Sequence, residues 1–291
     1  MNGDPLDRDI AHWVRQLGQD IGARNGRDRQ RYAQLQRARD LLLALLQVGG
    51  HTVRQLPYEV DGVPYHNLEL LLPGVDLALP NVVVGAHYDT AHRAPGANDN
   101  GTGVACMLAL ARLLADVPRA CSVRLVAFVN EEPPHTRKPT MGSVRYARQL
   151  AAQGVAVRAM LSLESLAAAL PWRHGRSPLF VVGNLRSRAL VRELRPCFRD
   201  KPGLLTLPIV APSFVPGVKS SDHWSFWREG HPAVMLTAGG PFTYRHYHRV
   251  SDRVEHVRTD HLLQIALGCR AAITGPLQHR ARSGSPLMRE A

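Results

Sequence analysis

Five short stretches hold the residues able to do chemistry: His87-Tyr88-Asp89, Asn98-Asp99-Asn100, Glu131-Glu132, Glu164, and His246-Tyr247-His248 with Asp252 close behind. Imidazole and carboxylate are both good zinc ligands, and Asp89 stands where it can orient the His87 ring. Two histidines and three carboxylates, with one more glutamate beside them, suit a two-metal hydrolytic site. An oxygen-rich donor set with two imidazoles and no thiolate favours zinc and tolerates cobalt or manganese.

The elements that must position these groups are legible in the surrounding pattern. Val82 to Val84 is an apolar, β-branched run that reads as a buried strand and leads into His87. Val123 to Val129 is a further strand ending at Asn130-Glu131-Glu132, and Ala159 to Leu163 is another ending at Glu164. Strand ends of a parallel sheet converge on one edge, so donors far apart in the chain can meet there. Asp99 lies on a Pro/Gly loop before a helical pattern at Val104 to Leu114. Neighbouring side chains at a strand end point apart, so Glu131 and Glu132 can do different work; a solvated strand end is the plain alternative.

Elsewhere, Asp9–Leu17 and Arg29–Leu46 read as amphipathic helices, ended by Gly49-Gly50. His51–Tyr58 and Asn67–Leu72 alternate as an antiparallel pair around Asp61-Gly62, at a sheet edge. Ser143–Ala152, Ser187–Cys197 and Thr259–Ile273 read as helices, and Leu179–Val182, Leu204–Ile209 and Ala233–Leu236 as strands. Ser221–Arg228 reads as a short helix with Ser221 as its N-cap. This alternation predicts one α/β domain, a mostly parallel sheet with helices on both faces, over residues 1–277. The polar tail, 278–291, is expected to be disordered.

Composition narrows the class. The chain has 291 residues, 45% hydrophobic and 21% charged, and no apolar run long enough for a membrane span. Its N-terminal stretch is polar, so a cytoplasmic protein is expected. The net charge of +12 comes almost wholly from dispersed arginine, the lysines being Lys138, Lys201 and Lys219. With 6% aromatics and no stacking platform, it reads as a basic surface and not as a nucleic-acid footprint. Cys106, Cys121, Cys197 and Cys269 are scattered with no C-x-x-C pair; three sit in apolar patterns and read as small buried hydrophobes, and no disulfide framework is expected.

The order HYD, GANDNGTG, NEE, LES and YHRVSD resembles the zinc exopeptidases of peptidase family M28, which include bacterial leucyl aminopeptidases, glutamate carboxypeptidase and glutaminyl cyclases. The resemblance covers about residues 30 to 275. It implies the aminopeptidase-like α/β/α sandwich and two zinc ions per chain. His87 and Glu164 would serve one zinc, Glu132 and His248 the other, with Asp99 bridging both and Glu131 as general base. Asp89 would fix the His87 tautomer, and Asp252 would do likewise near His248. His248 is preferred to His246 because Asp252 follows it at the family's spacing. His92, His135, His174, His256 and His261 read as surface histidines. Ser221-Asp222-His223 resembles a stretch near family active sites, but a helix cap reads equally well, so it stays outside the metal set. The resemblance implies an aminopeptidase acting on a peptide or amino-acyl amide, with a glutaminyl cyclase or an idle scaffold as alternatives. The loops Pro133–Met141 and Pro208–Ser220 are expected to choose the substrate.

Overall fold

A computed structural model of the chain describes residues 4–167 and 175–278. His174 and all of the expected tail except Gln278 lie outside the described residues. The strands are β1 (Val53–Val60), β2 (Val63–Leu72), β3 (Asn81–His87), β4 (Val123–Phe128), β5 (Val157–Glu164), β6 (Ser177–Gly183), β7 (Leu204–Val210) and β8 (Ala233–Thr237). The helices are α1 (Pro5–Arg15), α2 (Arg29–Leu46), α3 (Gly101–Leu114), α4 (Gly142–Ala152), α5 (Arg188–Arg199), α6 (His223–Arg228) and α7 (Leu262–Thr274). All eight strands form one sheet in the order β1-β2-β4-β3-β5-β8-β6-β7. The centre, β4-β3-β5-β8, is parallel. The β1–β2 hairpin adds on antiparallel at one edge, and β6 joins β8 antiparallel at the other side.

The period-two alternation of strand side chains divides the core between two faces. Val82, Val84 and Ala86 of β3, Leu125 and Ala127 of β4, and Leu161 and Leu163 of β5 pack in one cluster with α1, α2, α3 and α7. The intervening Val83, Val126, Phe128 and Met160 pack in a second cluster with Tyr146 of α4 and Phe226 of α6. Both faces are therefore covered, which is why the central strands read as predominantly apolar runs.

Some local expectations are revised. The first helix passes into a π-helical turn, Gln16–Ile21. Asp222, not Ser221, occupies the N-cap of α6, and the Ser221 hydroxyl donates to Glu164 instead. His261 is buried, with Nε2 2.9 Å from the Leu166 carbonyl, so it is no surface histidine. Gln278 is also buried, and its Oε1 accepts the Ala120 N–H. Among the described residues no helix is long and apolar enough to cross a membrane.

Candidate active site

His87 ends β3, Glu164 ends β5, and Glu131 and Glu132 follow β4, so three adjacent parallel strands deliver their donors to one edge. Asp99 enters from the loop before α3. Its neighbours are the reason it stays there. Asn100 caps α3 by accepting the Gly103 N–H at 3.2 Å, accepts the Ser165 N–H, and donates to the Leu163 carbonyl at 2.8 Å. Asn98 donates to the Ala167 carbonyl at 2.7 Å and accepts the Ala167 N–H at 3.0 Å. The two asparagines thus stitch the loop to the segment after β5, leaving the aspartate between them to face the cluster. Gly103 permits the approach, because a Cβ there would lie 2.4 Å from the Leu163 carbonyl oxygen.

His87 Nε2 lies 3.4 Å from Asp99 Oδ1 and 3.3 Å from Glu164 Oε2. His248 Nε2 lies 3.2 Å from Asp99 Oδ2 and 3.1 Å from Glu132 Oε2. Two of the three donor triads here share one carboxylate, each Asp99 oxygen facing a different histidine; the third triad is His87, Glu131 and Glu132. Glu131 stands at the edge of the first triad, its Oε2 4.0 Å from His87 Nε2. Every carboxylate in the set is buried.

The donor set fits divalent cations. Tetrahedral ligands about 2.0–2.2 Å from zinc stand roughly 3.3–3.6 Å apart, close to the separations seen here. Glu132 Oε1 is buried and accepts no hydrogen bond, a state that a charge out of water tolerates only when something else neutralises it. Burial opposes charge on His87, yet Glu164, Asp89 and Asp99 around it hold its pKa well above the ordinary value. Burial also opposes charge on His248, but Asp99 and Glu132 raise its pKa to about 10. Burial lifts Glu131 well above the usual carboxylate range, and Glu132, Glu164 and Asp222 add to that lift while His87 opposes it. Burial likewise takes Glu132 to about 7.

Two groups around the cluster, Asp89 and Asp252, behave differently from expectation. The Asp89 carboxylate is 3.7 Å from His87 Nδ1, beyond hydrogen-bond length; its backbone carbonyl faces that nitrogen at 3.2 Å. Asp89 Oδ1 and Oδ2 instead accept the backbone N–H groups of Glu131 and Glu132. Asp252 accepts the N–H groups of Asn98 and Asp99, so its carboxylate acts on the loop and not on the His248 ring. Glu164 is gripped by two hydroxyls, Ser165 and Ser221, each at 2.8 Å. His246 turns away, its ring stacked on His256 at 4.0 Å. The Tyr247 ring stacks on His248 at 3.9 Å. Asp222 is fully buried with neither oxygen hydrogen-bonded, and burial raises its pKa to about 7.

Backbone strain collects here. Asn130, Ser165 and His248 all hold positive φ, at 61°, 45° and 58°. Each adjoins or is one of the clustered groups, the pattern expected when surrounding structure enforces a functional geometry.

Residues 73–273, well over half of the chain, match peptidase family M28. The chain belongs to that family. As a member of M28 it is a metal-dependent peptidase. It is 29% identical over 257 residues to the uncharacterized protein YfbL of Escherichia coli (strain K12), a match spanning 80% of this chain and 78% of that one. It is 30% identical over 189 residues to aminopeptidase YwaD of Bacillus subtilis (strain 168), spanning 64% of this chain and 39% of the relative. In fold, this M28 chain is similar to the LapA aminopeptidase of Legionella pneumophila, with TM-score 0.76 and 17% identity over 94% of this chain and 72% of that one. A glutaminyl cyclase of Bacteroides thetaiotaomicron shares the fold at TM-score 0.71 and 15% identity, covering 92% of this chain and 97% of the cyclase.

An apolar cavity of about 320 Å³ adjoins the cluster at Glu164 and Tyr247, walled by Phe180, Val182, Val218, Met235 and Phe242. Of the segment Pro208–Ser220, Ile209, Ala211, Val215, Pro216, Val218 and Ser220 are among its lining, and none of 133–141 is. The loop at Gly239–Thr243 also lines it, a role its sequence did not announce.

Proposed function

We propose that this M28 peptidase is an aminopeptidase with a co-catalytic pair of zinc ions. The observation that supports this reading best is the pair of donor triads joined by Asp99, with a further buried glutamate, Glu131, beside them. His87, Asp99 and Glu164 would hold one cation; Asp99, Glu132 and His248 would hold the other. When bound, the pair supplies electrophilic activation of the scissile carbonyl and acidifies the attacking water.

The chain's own residues do the rest. Glu131, its pKa raised by burial and its acidic neighbours, takes the proton of the attacking water and delivers it to the leaving amine. Asp89 holds the backbone of Glu131 and Glu132 so that both carboxylates keep their places. The apolar cavity receives the side chain of the N-terminal residue, which favours leucine-like or aromatic substrates. A peptide, not nucleic acid, is the partner in this reading. The four unpaired cysteines suit a reducing compartment, so we place the enzyme in the cytoplasm.

The test is mass spectrometry of a mixed peptide library incubated with the zinc-loaded protein. Loss of single N-terminal apolar residues, blocked by a chelator, is the expected result. Loss of C-terminal residues, or of ammonia from N-terminal glutamine, would overturn the assignment in favour of a carboxypeptidase or a cyclase.

A further inference from the structure

A second hollow, of about 370 Å³, meets the cluster at His248. Three arginines, Arg27, Arg31 and Arg93, line it beside His92, and no carboxylate does. These residues come from two segments, 24–31 and 90–94, that are tied together from beneath. Asn25 donates to the carbonyls of Thr90 and His92 at 2.9 and 2.8 Å, and the Arg24 N–H donates to the Thr90 hydroxyl. The hollow is therefore fixed relative to Asp89 and Asp99, which lie on the same loop system. Arg31 is partly neutralised by its pair with Asp28, and Arg27 gives one N–H to the Pro133 carbonyl at 2.9 Å. Arg93 forms no ion pair among the described residues. The wall thus keeps an unspent positive charge.

The two hollows approach opposite halves of the cluster. The apolar one meets Glu164, in the His87 triad; the basic one meets His248, in the other. A peptide whose N-terminal side chain occupies the apolar cavity sends its leaving fragment past His248 towards the arginines. Guanidinium forks are suited to carboxylates, and a partly enclosed cationic wall beside a reacting centre selects for negative charge.

We propose that Arg27, Arg31 and Arg93 bind a carboxylate of the leaving fragment, so that short peptides bearing a free acid are the preferred substrates. This rests on the aminopeptidase reading above. The carboxylate can be the peptide's own C-terminus or an acidic side chain, and the two are separable by experiment.

The probes are Leu-Gly, its amide Leu-Gly-NH2, and Leu-Asp-NH2, assayed with the zinc-loaded enzyme and with an Arg27→Gln/Arg93→Gln variant. Leu-Gly should exceed its amide in kcat/KM by about tenfold, mainly through KM, as expected of a hydrogen bond to a charged group. Raised salt should shrink the preference, and the double variant should bring the ratio close to one. Recovery with Leu-Asp-NH2 would assign the carboxylate to a side chain; its failure to recover would assign it to the C-terminus. Equal turnover of acid and amide, or a ratio that survives in the double variant, would overturn the proposal while leaving the aminopeptidase intact. Binding to a Glu131→Gln variant by calorimetry separates the two readings. Tighter binding of Leu-Gly than of its amide, with no turnover by the wild type, would uphold the basic hollow and sink the aminopeptidase.

Discussion

The carboxylate of Asp89 accepts the backbone N–H of Glu132 through one oxygen and that of Glu131 through the other, both at 3.1 Å. Asp252 repeats the arrangement on Asn98 and Asp99, at 2.9 and 3.1 Å. Each buried aspartate fixes two consecutive peptide groups and so aims the side chains they carry. Asp89→Asn replaces one acceptor by an amide that faces an N–H, which tilts the Glu131–Glu132 segment. We expect kcat to fall roughly 10- to 100-fold, the range typical when groups supporting a metal site are lost. Steady-state kinetics alongside zinc content will check this. Unchanged kcat would mean that the segment is held without Asp89.

Glu131→Gln keeps the shape of the side chain and removes its proton affinity. It should lower kcat by about 10²–10⁴-fold while bound zinc and the unfolding temperature stay near wild type. Loss of zinc in this variant, measured by elemental analysis, would reassign Glu131 from base to ligand.

Much of this site is legible in the chain because its donors end recognisable strands. Val82–Val84 is apolar on both faces and Ala159–Leu163 nearly so, and the ionisable residue that ends each strand, His87 or Glu164, sits at the edge where parallel strand ends converge. Asp99 could be placed near them because its loop leads into a helix. Partners that depend on the exact path of loops were not legible. Asp89 and Asp252 each hold backbone of distant segments, and a carboxylate next to a histidine in sequence invites the simpler reading that it supports the ring. Ser221 reads as a helix cap until the fold brings it within 2.8 Å of Glu164.

Arg24 is the clearest case of a role hidden from the sequence. In an arginine-rich segment it reads as solvated, yet it is fully buried and donates to the carbonyls of Tyr88, Leu17, Gly22, Pro95 and Gly96. Burial lowers its pKa to about 10, while Asp89, Asp252 and Asp99 hold it up, so it stays charged at neutral pH. Arg24→Met strands buried acceptors on the loop that carries Asp99. The expected cost is about 3–5 kcal/mol. Urea unfolding of the metal-free protein measures it. A cost below about 1 kcal/mol would show that water replaces the guanidinium.

Removing the metal should also destabilise the fold. Asp99, Glu131, Glu132 and Glu164 crowd one buried site, and a cation bound to the folded chain alone adds about 2.7 kcal/mol at a hundred times its Kd. Chelation should therefore lower Tm by about 5 °C or more, reversibly on zinc return. A Tm indifferent to chelator would argue against cation binding at the cluster.

His223 gives the fold a separate acid sensitivity. It is fully buried, its Nε2 2.7 Å from the Val218 carbonyl, its Nδ1 without a partner, and burial lowers its pKa to about 4. The unfolded chain takes up the proton near 6.5, the folded chain only near 4. Stability from the neutral ring is complete above pH 6.5 and is lost as pH falls towards 4, at up to about 1.4 kcal/mol per unit. Asp222 next to it has its pKa raised and so pulls in the opposite direction, which makes the wild-type curve alone ambiguous. The informative quantity is the stability difference between wild type and His223→Phe, read from urea midpoints across this range. That difference should move against the wild type by about 3 kcal/mol between pH 7 and pH 4. A flat difference would mean that the ring is protonated in the folded chain as readily as in the unfolded one.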